Sequence, residues 1–246
     1  MTDRPPSTGV ELADRIAVAL AERADPVRAE PMARYMRDQF PFLGVMAPAQ
    51  KAVWRRVAAD LPRHLPEPVV VEAARALWRR PEREHQYLAC TLVNRHATLP
   101  ARAPGASPAF LDTVEALITS RSWWDTVDSL ATHAVSALVA DHRELRPRMD
   151  AWLAGDDVWL TRSALLHMVG WKAATDGDWL FAACLARADH PDFFVRKAIG
   201  WALRELSKVD ADAVVSFVAA HERELSGLSR REALMWLERR RRRLGA

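Results

Sequence analysis

Apolar residues in this 246-residue chain recur every three or four positions, segment after segment, and almost nowhere alternate as a strand requires. That spacing gathers them on one face of a helix, whereas on a strand it would scatter them over both faces. Stretches such as "VELADRIAVALAERA", "PAQKAVWRRVAADL", "EHQYLACTLVNRHA" and "VWLTRSALLHMVGW" follow it. Proline-bearing gaps, "LPRHLPEP", "LPARAPGASP" and "DHPDFF", punctuate them, and glycine is scarce at nine residues. The pattern predicts an all-α fold of about a dozen helices joined by short turns. A second constraint comes from spacing. Trp124, Arg162 and Trp201 stand 38 and 39 residues apart, and a period near forty with two helices per unit marks a HEAT-like helical-repeat solenoid. An irregular helical bundle would show the same periodicity, but only the solenoid offers a long concave face for an extended partner.

Residues 1–29 read as a tail with the first helix, and residues 30–246 as a single HEAT-like repeat domain. The stretch 97–108 reads as a loop between halves, because helices of one style continue on both sides of it. Net charge is +3, which permits a polyanionic partner without demanding one, so the placement of charge matters more than its sum. Cys90 and Cys184 lie far apart in apolar segments, which suits a reducing cytoplasm and no disulfide framework. No signal pattern opens the chain and no apolar run approaches membrane-spanning length, so a soluble cytoplasmic protein without a membrane partner is expected. His and Cys show no metal-ligand spacing, and neither a metal nor a cofactor is expected.

Three helices carry something on the wrong face. In "FFVRKAIGWALRELSK", Ile199, Ala202, Leu203 and Leu206 form the core stripe, and Trp201 projects almost opposite with Lys197, Arg204 and Lys208 around it. Either a neighbouring element covers this tryptophan, or it is a stacking platform flanked by phosphate contacts. In "VWLTRSALLHMVGW", Arg162 sits within an apolar side, where a guanidinium needs an internal acid or a polyanion. In "SWWDTVD", Trp123 falls in phase with Val127, Leu130, Ala134 and Leu138 and is expected in the core. Trp124 and Asp128, at i and i+4, share the edge of that stripe. They make either a catalytic carboxylate with its aromatic neighbour or an acid that pairs with Arg162 for structure. The run Arg239–Arg243 reads as a solvated helix end suited to the helix dipole, with phosphate contact as the second reading.

Together, "RYMRDQFPFLGVMAP", "SWWDTVD", "WLTRSALLH", "FFVRKAIGWALRELSK" and "LSRREAL" resemble, in order and from about residue 30 to 240, the AlkD-like DNA alkylation repair glycosylases. The resemblance implies a HEAT-like solenoid with duplex DNA in its concave face and hydrolytic release of N3- or N7-alkylated purines, without strand cleavage and without a metal. It places the family's catalytic acid on Asp128, its cleft tryptophans on Trp124 and Trp201, and its cleft arginine on Arg162. Lys197, Arg204 and Lys208 would then grip phosphates, and Tyr35, a looser correspondence, would contact DNA. A monomer acting on double-stranded DNA that carries alkylated purines is the implied working unit; the alternative is a non-catalytic HEAT-repeat module that only binds nucleic acid.

Overall fold

The computed structural model describes residues 6, 8–99 and 105–244, so residues 100–104 of the expected 97–108 loop lie outside the described residues. Among the described residues the regular structure is helical, with no strand. Two compact units divide the chain, Met1–Leu117 and Ile118–Ala246. The first carries α1 (Gly9–Ala21), α2 (Pro26–Tyr35), α3 (Ala47–Ala58), α4 (Glu67–Trp78) and α5 (Arg83–Ala97), and α6 (Phe110–Ile118) reaches the boundary. The second carries α7 (Trp124–Ser129), α8 (Ser136–Asp141), α9 (Arg146–Ala154), α10 (Val158–Leu166), α11 (Gly177–Ala186), α12 (Phe193–Leu206), α13 (Ala211–Ala220) and α14 (Gly227–Leu244). No helix among the described residues is long and apolar enough to cross a membrane.

In the first unit α1 packs on α4 and α4 on α5, burying Leu12, Ile16, Leu20, Leu77, Leu88 and Leu92 completely or nearly so. The first turn of α5 is unexpectedly polar inside: Arg83, Glu84, His85 and Gln86 are all buried. Glu84 accepts the backbone N–H groups of Leu43, Gly44 and Val45, each at 2.9 Å, and so ties down the "FPFLGV" loop. Gly44 has φ +86°, and a Cβ there would come within 2.0 Å of the Asp25 carbonyl oxygen, so only glycine fits.

In the second unit aspartates open four helices in turn. Asp157, Asp176, Asp192 and Asp210 each accept a backbone N–H two or three residues on, which satisfies a donor that the first turn leaves unpaired. The segments α7 and α8 belong to one continuous helix, joined by a π-helical stretch over Leu130–Val135. Its wider turn keeps the four-residue step from Leu130 to Ala134 on the buried face. This helix packs against α10, α10 against α12, and α12 against α14, so four helices distant in sequence form a row. The middle member, α10, is enclosed: every residue from Thr161 to Met168 is buried.

The expected core stripe holds for Val127, Leu130, Ala134 and Leu138 but not for Trp123. Trp123 precedes the helix in extended backbone, φ −158° and ψ 158°, so helical phase does not apply to it. It is half-buried and leans on the aromatic rings of the next two helices of the row.

Candidate active site

Asp128 closes the first α-helical turns of its helix, just before the π-helical stretch, and faces α10. Arg162 of α10 meets it with two parallel hydrogen bonds, Nε to Oδ1 at 2.6 Å and Nη2 to Oδ2 at 2.8 Å. The remaining terminal nitrogen, Nη1, donates to the main-chain carbonyl of Phe194 in the first turn of α12, at 2.6 Å. Three successive members of the row thus meet at one guanidinium. The Arg162 side chain is 3 % exposed, out of reach of an outside phosphate unless the pair opens, so it holds Asp128 in place.

The carboxylate itself stays 17 % exposed. Burial pushes its pKa above the ordinary carboxylate range, against the pull of Arg162, and Asp125 adds a smaller upward push. Both oxygens accept N–H donors from one guanidinium, the fork-on-fork geometry of a carboxylate anion. Each oxygen keeps a second lone pair. Asp128 is therefore a fixed anion with an edge still open to a reacting group.

An aromatic cluster adjoins the arginine of this pair. Trp123, Trp159 and Phe194 have centroids 5.0–5.9 Å apart, with Trp123 and Phe194 edge-on. The Arg162 guanidinium lies 5.9 Å from the Phe194 centroid. The indole N–H of Trp123 is buried and meets no acceptor. Sequence periodicity does not single out Phe194 or Trp159 for this role, because each looks like an ordinary apolar position of its own helix. Trp124, one turn before Asp128, is half-buried beside it.

Trp201 is half-buried on α12, two turns beyond Phe194 on the same face. Its basic flank is present, but a neighbour claims it. Glu232 of α14 takes both Lys197 and Arg204, and Lys208 pairs with Glu205. Burial alone would raise Glu232, but its hydrogen bonds from Lys197 and Arg204 outweigh that and hold its carboxyl below the usual range. Gly200 allows this close approach, since a Cβ there would meet the Glu232 Cβ at 2.4 Å. Tyr35, in the first unit, is 72 % exposed and lines an apolar hollow with Met32, Phe42, Met46 and Tyr87. Among the described residues no group of three or more His, Cys, Asp or Glu side chains is placed to hold a metal ion.

Residues 16–237 match the family described as DNA alkylation repair enzyme. The chain belongs to that family. Among solved structures it is similar to a predicted DNA alkylation repair enzyme from Enterococcus faecalis, with a TM-score of 0.75 and 28 % sequence identity over 87 % of this chain and 96 % of that one. No curated protein matches. The family match takes in all three helices that meet at Arg162, together with Trp201 and Glu232, and stops short of Arg239–Arg243.

Proposed function

We propose that this DNA alkylation repair enzyme is a monofunctional glycosylase that hydrolyses the N-glycosidic bond of N3- or N7-alkylated purines in duplex DNA. The observation that carries the proposal is the buried, bidentate Arg162–Asp128 pair, which keeps a partly exposed carboxylate ionised. Alkylation at N3 or N7 makes the base cationic and a good leaving group, so the base needs little acid catalysis. The demand falls on the sugar, where positive charge builds as the bond breaks through an oxocarbenium-like state. Asp128 offsets that charge and accepts a proton from the attacking water. The water oxygen bonds to the anomeric carbon while the bonding electrons leave with the base and neutralise it. Trp124 and Trp201 pack the sugar–phosphate of the lesion, their indole faces adding cation–π attraction. Arg162 orients the carboxylate and does not itself grip phosphate. The row from α7 to α14 is taken as the concave lining of a HEAT-like array, with Lys197, Arg204, Lys208 and Tyr35 as further DNA contacts.

A second reading rests on the same pair: both Asp128 oxygens already have a partner, as in a purely structural ion bridge within a non-catalytic nucleic-acid-binding module. Release of 7-methylguanine or 3-methyladenine from methylated duplex separates the two. Under the glycosylase reading Asp128→Asn loses about 10²–10⁴-fold in single-turnover rate while retaining duplex affinity. Equal release by wild type and variant would remove Asp128 from the chemistry. Binding without release by the wild type would leave the non-catalytic module.

A further inference from the structure

Four cations of the row have acid partners: Arg162 pairs with Asp128, Lys197 and Arg204 with Glu232, and Lys208 with Glu205. Arg239–Arg243 are different. All five are exposed on the last turns of α14, and none pairs with an acid among the described residues. Their weight in the whole chain is decisive. With 35 Lys and Arg against 32 Asp and Glu, these five arginines turn a net-negative protein net-positive.

Their direction is set by the helix. Ser229 donates its hydroxyl to the Arg196 carbonyl and Glu232 reaches Lys197 and Arg204, so α14 runs alongside α12 in the same sense. Because α12 ends at Leu206, the last turns of α14 project past it. Glu232, Trp236, Arg239 and Arg243 fall at i, i+4, i+7 and i+11, one face of the helix. Arg240 lies beside that face, its guanidinium 5.4 Å from the Trp236 centroid. Arg242 lies at its opposite edge, and Arg241 points away from it. At 1.5 Å per residue the arginines begin about 10 Å beyond Glu232 and end about 17 Å beyond it, a distance of two or three backbone phosphates. The helix that ties down the flank of Trp201 therefore carries its free positive charge onward in the same line.

We infer that the Arg239/Arg243 face of α14, with Arg240 beside it, is a second, sequence-independent clamp on the duplex backbone, gripping phosphates flanking the one at Trp201. The inference rests on the reading of the row as the DNA-facing side, but not on the chemistry at Asp128. It adds to that reading a residue set that the family match does not include.

The test is binding of an undamaged 25-base-pair duplex, followed by fluorescence anisotropy over a range of salt, which needs no excision. Arg239→Gln with Arg243→Gln is expected to weaken affinity roughly 10-fold at low salt and to lower the slope of log K against log salt by about 2. Arg241→Gln with Arg242→Gln removes the same charge from the back and the opposite edge of the helix and should weaken it less than about 3-fold. Arg239→Lys with Arg243→Lys should stay near wild type. Equal loss in the two glutamine pairs, or loss in the lysine pair matching its glutamine counterpart, overturns the clamp. So does unchanged duplex binding accompanied by lost binding to vesicles of about one-third anionic lipid, the outcome for a membrane-surface helix. Failure of the wild type to bind duplex at all would overturn the DNA reading of the row along with it.

Discussion

Two acid side chains, Glu84 and Asp128, have both oxygens occupied, yet their surroundings differ. Glu84 is completely buried, and three backbone N–H groups converge on it. Nothing from outside can reach it, and its work is to fix the loop at Leu43–Val45. Asp128 is held by one guanidinium on one side and keeps part of its surface open. What separates the two carboxylates is not pairing, since both are paired. It is whether the partner leaves an edge free.

The largest expected effect tests that contrast directly. Asp128→Asn should cost excision its 10²–10⁴-fold even where the protein is fully folded, with some loss of stability as well, because asparagine offers Arg162 one oxygen and no counter-charge. Glu84→Gln should lose stability alone. It leaves one of the three loop N–H groups poorly paired and lowers stability by about 1–3 kcal/mol in thermal unfolding, with excision kept at temperatures where the protein is folded. If both substitutions acted on stability alone, the distinction would collapse.

Next in size is Arg162→Ala. It strands a buried carboxylate and should destabilise the second unit by about 3–5 kcal/mol in denaturant unfolding. The effect should shrink when Asp128→Asn is combined with it, since the stranded charge is then gone. Strict additivity of the two would show that the pair is not the coupling between α7 and α10.

Titration offers a subtler probe. His167 is buried between Trp171 and Trp179 with Nδ1 2.6 Å from the Ala164 carbonyl, and burial lowers its pKa from 6.5 to about 4. The unfolded chain thus takes up a proton at higher pH than the folded one. The stability contributed by neutral His167 is present above pH 6.5 and is lost as pH falls towards 4, by roughly 3 kcal/mol in all. Unfolding curves of His167→Gln should be flatter across that window. Asp128 acts with the opposite sign: its raised pKa means its ionised form costs stability, so that cost is relieved on acidification. Excision should instead fall as pH drops through a value above the ordinary carboxylate pKa of 3.8, since only the anion can offset charge on the sugar. A stability profile without the histidine slope, or an activity limb at the ordinary carboxylate position, would show that burial does not govern these groups.

Much of the molecule was legible in the chain itself. Helical periodicity predicted an all-α protein, because burying one face of a helix requires apolar residues at that interval and no other. Motif order placed the chain in its repair family, and the oddity of Arg162 on an apolar helix announced that a partner had to exist. The acid one turn from Trp124 was visible as a candidate for the same reason.

Tertiary structure decided the rest, because it concerns which helix lies beside which. Phase placed Trp123 in the core, whereas the backbone leaves the helix at that residue and turns the ring towards Trp159 and Phe194. The cations around Trp201 looked free in sequence, and only the packing of α14 on α12 brings Glu232 within reach of them. A charge is neutral or available according to the neighbour folded against it, and local spacing carries no record of that neighbour. So the sequence determined the helices and nominated the unusual residues, while packing determined which acid stays open and which arginines remain unpaired.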